Sequence, residues 1–275
     1  MNEQPQVDAG YKTPPPIPPQ PDATGLPPKA YWQSQKAALE EEQRISSAFG
    51  EHYAPLERPL SALRVVDALL KQPARIAYEL TEGQAAKTAA VLAAIAAICT
   101  SGYGFIMGSF AGGLQFWAVP LKVVIGLFLS ALICLPSLYI FVCLSGSRRS
   151  LAQLGGLLLA ALALGGILLA GFGPVTWVFS QSTNSIGFMG AMHLAFWYIA
   201  LFFGLRLFET AIVFLDKQAR PTLKLWSVIF ILVVMQMCTA LRPLIGPYQP
   251  LRTHEKKFFL AHWGSFNREV PREYR

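Results

Sequence analysis

Charge is what this sequence has least of. Only 14% of its 275 residues are Asp, Glu, Lys or Arg, against about 25% in an average soluble domain. The shortage is local. Between Thr88 and Gly246 stand two acids, Glu209 and Asp216, and eight cations. The charge-free runs there exceed the roughly 18 residues that mark a transmembrane helix. A soluble globular enzyme is excluded. Motifs of the HExxH or GxSxG kind are also missing, and so are paired acids within the apolar runs. An intramembrane enzyme needs a base near mid-bilayer, whereas Glu209 and Asp216 fall near a helix end. No catalytic residue, cofactor site or metal site is expected.

Other absences narrow the reading further. The four cysteines (Cys99, Cys134, Cys143 and Cys238) lie in apolar runs, form no CxxC pair and have no His at ligand spacing. They read as small buried hydrophobes. The first eighty residues hold no apolar h-region, so no cleavable signal peptide is expected. Basic residues are not gathered on one face with interleaved aromatics, so nucleic acid is not an expected partner.

What is there is an ordered series of segments. The net charge of +7 divides into −3 over residues 1–84, +7 over 85–247 and +3 over 248–275. Residues 1–59 read as a disordered arm. Thr13 to Lys29 carries eight prolines in seventeen residues, a density that favours solvated polyproline II, and Lys36 to Arg44 suits a short acidic helix. Over 60–84, Leu60, Leu63, Val66, Leu69 and Leu70 recur at helical spacing with Arg64, Asp67 and Lys71 opposite. That pattern predicts an amphipathic helix lying in the membrane interface or packed on the membrane domain. Residues 85–246 then read as an all-α, polytopic transmembrane bundle of about five spans: 85–108, 123–144, 151–170, 186–208 and 225–241. Pro120 and Lys122 are taken to divide the second apolar stretch, and Gly171, Gly173 and Pro174 to disturb the third. Residues 247–275 form a basic, aromatic tail.

Orientation follows from the short loops. Arg148 and Arg149, and then Lys217, Arg220 and Lys224, fall on one side; the opposite loops hold only Lys122. The positive-inside rule places the basic side, and the N-terminus, in the cytoplasm, here the cytoplasmic (inner) membrane of a bacterium. The lipid bilayer is the first expected partner. Anionic lipid is a second, for Leu60–Leu80 and Leu251–Phe266, and a protein partner is expected for residues 1–84.

One set of residues carries a resemblance. Tyr103-Gly104-Phe105-Ile106-Met107-Gly108-Ser109, Pro120-Leu121-Lys122, Leu135-Pro136-Ser137-Leu138-Tyr139, Gln236-Met237 and Leu241-Arg242-Pro243-Leu244-Ile245-Gly246 resemble an uncharacterised group of bacterial multispan membrane proteins. That group is similar in span count and N-inside layout to the Yip-type membrane proteins. The resemblance covers roughly residues 60–250 and implies no functional residue.

Ionisable and polar groups in a bilayer are costly and mark candidate sites. Arg242, before Pro243, leads, with Gln236 and Thr239 completing a polar stripe that suits an anion or lipid headgroup. His193 stands alone in the fourth span. Arg206 and Glu209 share a helix face and are placed to pair, and Lys122 is placed to snorkel to the interface. Gly104, Gly108 and Gly112 recur every four residues, and Gly155, Gly156, Gly165 and Gly166 pair in the third span. Small residues at such spacing form helix-packing seams, within one chain or between two, which leaves the oligomeric state open. Two function classes remain: a non-catalytic membrane organiser or scaffold, and a small transporter or channel.

Overall fold

A computed structural model describes residues 49–111, 113–147, 149–183, 185–216 and 220–240, together with Gln33, Lys36 and Glu40. The chain divides into two units, 1–48 and 49–275. In the first, Gln33, Lys36 and Glu40 are helical, with an exposed ion pair of 3.8 Å between Lys36 and Glu40. The rest of the proline-rich arm lies outside the described residues, as does the 247–275 tail.

The second unit is helical throughout; among the described residues there is no strand. Its helices are α1 (Ala62–Lys71), α2 (Pro73–Thr81), α3 (Ala85–Ala111), α4 (Gln115–Leu144), α5 (Leu151–Ser182), α6 (Ile186–Leu215) and α7 (Arg220–Ala240). Four stretches are long and apolar enough to cross a membrane: Ala85–Phe110, Phe116–Leu144, Leu151–Ser182 and Gly187–Leu215. The apolar part of α7, Thr222–Met237, is shorter. The protein is an integral-membrane type of helical bundle, in which α5 is the innermost of the four long helices, 61% buried against 33–39% for the others. It packs most extensively on α3, with α6 on its other side; α4 lies against α3, α7 lies against α4, and α6 and α7 touch less.

Local chemistry sets the helix ends. Ser150 and Gln153 cap α5 reciprocally: the Gln153 N–H donates to Ser150 Oγ (3.2 Å) and the Ser150 N–H to Gln153 Oε1 (3.1 Å), which satisfies two otherwise orphaned groups. Ser185 caps α6 by accepting from the Phe188 N–H at 3.3 Å. The α3–α4 and α4–α5 turns use Gly113 (φ 56°) and Gly146 (φ 84°), in the left-handed region where a side chain is strained.

Three expectations change. Pro120 does not begin a span: α4 starts at Gln115 and carries both Pro120 and Pro136 inside it. Likewise α5 runs through Gly171, Gly173 and Pro174 to Ser182. Each proline forfeits one backbone hydrogen bond, but in hydrocarbon no water competes for the remaining ones, so the helix continues. Finally, the helix expected over 60–84 is two. Pro73 has no N–H, and Gln72 before it leaves helical geometry (φ −137°, ψ 61°), as a pre-proline residue tends to.

This pair of helices buries Val65, Ala68, Leu69, Ala74, Ile76, Ala77 and Leu80 against α3, α5 and α6. Leu63 (82% exposed) and Leu70 remain outside.

The two ends of the bundle differ. Lys87, Arg149, Asp216 and Lys224 stand toward the α1–α2 end. Toward the other end, Phe105, Phe116 and Trp117 form a cluster with ring centroids 5.2–5.6 Å apart. Phe179 meets Phe188 there at 5.6 Å. Exposed Trp177 adds to this aromatic belt, the composition favoured at a membrane–water boundary.

Candidate functional site

Three polar assemblies interrupt the apolar packing. The first joins α3 to α6. The Tyr103 hydroxyl and His193 Nδ1 are hydrogen-bonded at 2.8 Å, and the two rings meet edge to face with centroids 5.6 Å apart. Tyr103 is fully buried and His193 is 3% exposed. Thr176 is buried too, with its hydroxyl donating to the Phe172 carbonyl at 3.1 Å. His193 Nε2 is buried without a partner, and this holds in either tautomer. Leaving such an atom unmet costs about 1–3 kcal/mol. A proton can pass between phenol and imidazole, but a relay needs a further acceptor, and among the described residues no group of three or more His, Cys, Asp or Glu exists that suits a metal ion.

The second assembly ties α7 to α6 and α4. Glu209 Oε1 accepts from the Ser227 hydroxyl at 2.6 Å. The Trp226 indole N–H is shared between the Cys134 carbonyl (3.3 Å) and Ser137 Oγ (3.2 Å), while Ser145 and Thr222 hydroxyls meet at 2.6 Å. Phe208, Trp226 and Phe230 stack beside them, with centroids 5.4 and 5.2 Å apart. The expected Arg206–Glu209 pair is not formed. Glu209 turns to buried Ser227 across the seam, and Arg206 is exposed on the outer face of α6.

The third assembly centres on Glu79, a residue not singled out in the sequence. Glu79 is fully buried. Its Oε1 accepts from the Leu56 N–H at 3.0 Å and its Oε2 from the Gln84 N–H at 3.1 Å. Arg58 Nη2 donates to both oxygens at 3.3 and 3.2 Å. A few residues upstream, the Tyr53 hydroxyl meets Thr81 Oγ1 at 2.7 Å, and its ring contacts Tyr78 and Phe214 at 5.2 and 5.3 Å. Burial pushes the Tyr53 phenol pKa up, partly offset by the Thr81 bond. Phe49 closes on Phe214 at 5.1 Å. Gln153 Nε2 donates to the Thr81 carbonyl (3.2 Å) and Arg149 Nη2 to the Leu215 carbonyl (3.3 Å), the latter placing a cation at the negative end of α6. Residues 49–58 are thus a strap clasped onto α2 and α6. The only sequence signal for it is an acid, Glu79, among the apolar residues of the α2 buried face.

The other expected residues are dispersed. Lys122 is half-buried in α4 and Gln236 half-buried in α7. The side chain of Thr239, and Arg242 entirely, lie outside the described residues, as does Gly112. Gly104 meets Pro120: a Cβ on Gly104 would stand 2.6 Å from Pro120 Cα, so α3 and α4 touch backbone to backbone. Gly108 is buried in the same helix. Gly155 faces Leu135, Gly156 faces Leu80 of α2, Gly165 faces the Ala200 carbonyl and Gly166 the Ala96 carbonyl. These seams lie within one chain. Gly204, not singled out in the sequence, approaches most closely on the α5–α6 seam, with a Cβ position 2.6 Å from the Ala161 carbonyl oxygen.

At mid-height, a narrow crevice of about 20 Å³ lies between these seams, lined by residues including Ala161, Gly165, Trp197, Ala200, Gly204 and Phe230. Neither Gln236 nor His193 lines it. No protein-family model, curated protein or solved structure matches this chain.

Proposed function

We propose that this chain is a non-catalytic membrane organiser: a helical anchor that presents a proline-rich arm to cytoplasmic partners. In this reading it sits in a bacterial inner membrane with its N-terminus inside, α7 serves as a fifth span, and the similarity to Yip-type proteins is one of architecture. The observation that carries the reading is the clasp. The arm joins the bundle at Phe49, and the residues that follow are held by a buried carboxylate, a half-buried phenol and two aromatic contacts. A bundle that fixes the root of a polyproline-rich segment at its basic end suits a mount for a binding arm. The lining of the mid-height crevice is apolar, which suits a scaffold better than a polar transport path.

Mild solubilisation of the full chain, and of a chain lacking residues 1–48, tests this. Cytoplasmic proteins that co-purify only with the full chain are the expected result. Identical sets from both chains would overturn it. The orientation is tested by reporters fused at Ser147, Asn184 and Gln218, expected to read inside, outside, inside.

A small transporter is the second reading, favoured by one feature: the buried His193–Tyr103 pair with an unmet Nε2. Substrate-dependent flux into proteoliposomes, abolished by His193→Leu, would support it.

A further inference from the structure

We propose that α1 is an in-plane helix that sinks Leu63, Val66 and Leu70 into the bilayer beside the bundle. One short helix then packs on protein along one side and on acyl chains along another. The inference rests on the bundle alone and is independent of any partner of the arm.

The first observation is the width of the apolar sector. At about 100° per residue, Arg64, Asp67 and Lys71 fall within a sector of about 60°, and every other residue of α1 is apolar. The bundle covers only part of that apolar surface. Val65, Ala68 and Leu69 are buried, whereas Leu63 is 82% and Leu70 51% exposed. Ala62 is exposed as well and Val66 is half-buried. These last four fill a second sector of about 100°, which adjoins the buried one at Leu69 and runs round to the polar one. A helix lying flat in the interface against a bundle needs this order: protein to one side, acyl chains beneath, water above. A helix standing in water beside a bundle would be polar over its whole outer face.

The second observation is depth. Leu80 of α2 packs on Gly156, where a Cβ would stand 2.8 Å from Leu80 Cδ2. The Thr81 carbonyl accepts from Gln153, one turn earlier on α5. Gly156 precedes Trp177 of the opposite aromatic belt by 21 positions along the same helix. At 1.5 Å per residue that is about 32 Å, one hydrocarbon thickness. The end of α2 therefore stands at the near boundary of the hydrocarbon. Helix α1, joined to α2 through Gln72 and touching α3 and α5, lies at that level.

The third observation concerns the charges. Lys71 pairs with Asp67 at 2.6 Å, and Arg64 Nη1 donates to the Glu57 and Pro59 carbonyls at 3.4 and 3.1 Å. The polar sector is thus satisfied within the chain and needs only water. What is left over is the apolar sector; among the described residues nothing covers Leu63 or Leu70, and at the hydrocarbon boundary the surrounding medium is lipid.

The test places a photoreactive benzophenone residue at position 63, 70 or 67 of the full chain, in liposomes of phosphatidylcholine with a minor fraction of phosphatidylglycerol. All three positions are exposed. Mass spectrometry should find phospholipid adducts from 63 and 70 and none from 67, in the polar sector. Adducts from 63 and 70 to residues 1–48, or to a second copy of the chain, overturn the proposal. So do equal lipid adducts from all three positions, or no adduct from 63 and 70. Hydrogen exchange in the same liposomes is a second readout. Leu63→Ser with Leu70→Ser should speed exchange of the α1 amides roughly tenfold, on the scale of burying one leucine side chain, with the α3–α6 amides unchanged. Unchanged α1 exchange overturns the proposal.

Discussion

Replacing Glu79 by Ala should free the strap without melting the bundle. The Glu79 carboxylate accepts from the Leu56 N–H, the Gln84 N–H and Arg58. The Leu56 bond is buried, so its donor loses a partner with no water to replace it, a cost of about 1–3 kcal/mol. Gln84 is exposed and its N–H can turn to water. Arg58 is 45% exposed, so its pairing, screened by solvent, adds at most about 1 kcal/mol. A middle value of about 2 kcal/mol corresponds to roughly thirtyfold faster local opening. Hydrogen exchange of the full chain in nanodiscs reads this directly. The Leu56 amide should exchange roughly thirtyfold faster in Glu79→Ala, with the α3–α6 core amides unchanged. Glu79→Gln keeps one oxygen, which can turn to Leu56, and its effect should be smaller. An unchanged Leu56 amide in the Ala variant would refute the reasoning. So would an equal acceleration in α5, because the acid would then hold the whole bundle rather than the strap.

Other expectations follow from the seams and the buried pair. Gly104→Ala should lower the melting temperature in detergent, since its Cβ would meet Pro120 Cα at 2.6 Å and overpacking costs about 1–3 kcal/mol. Gly155→Ala should be neutral or stabilising, because its Cβ meets only Leu135 at an ordinary 3.6 Å and alanine is the better helix former by about 1 kcal/mol. Tyr103→Phe leaves His193 without a partner on either ring nitrogen and should destabilise. Combined with His193→Leu it should recover part of the loss, with a coupling of about 0.6 kcal/mol, the average for hydrogen bonds between membrane helices.

The spans were legible because a bilayer demands long runs without charge, and Ala85–Ala111 or Leu151–Ala170 has no other reading. The Ser150–Gln153 cap, not singled out in the sequence, is nonetheless local, since both partners sit within one turn. What escaped was non-local or depended on solvent. Tyr103 and His193 are 90 residues apart, and nothing in either neighbourhood announces the other. Glu79 is held by backbone N–H groups and an arginine from a segment with no regular pattern. Pro120 and Pro174 were read as breakers by the rules for helices in water, whereas in an apolar surround the rest of the ladder holds. Arg206 and Glu209 satisfied the spacing for a pair, but a buried hydroxyl on α7 competed for the carboxylate.

The central claim is that a clasped root presents residues 1–48 to a partner. It is tested most directly by photocrosslinking in intact cells from position 39, within the arm, in the wild-type chain and in Glu79→Ala. The account predicts a discrete protein adduct in the wild type and a lower adduct yield when the strap is released. A position 39 that yields no protein adduct, or the same yield with and without the clasp, would contradict it.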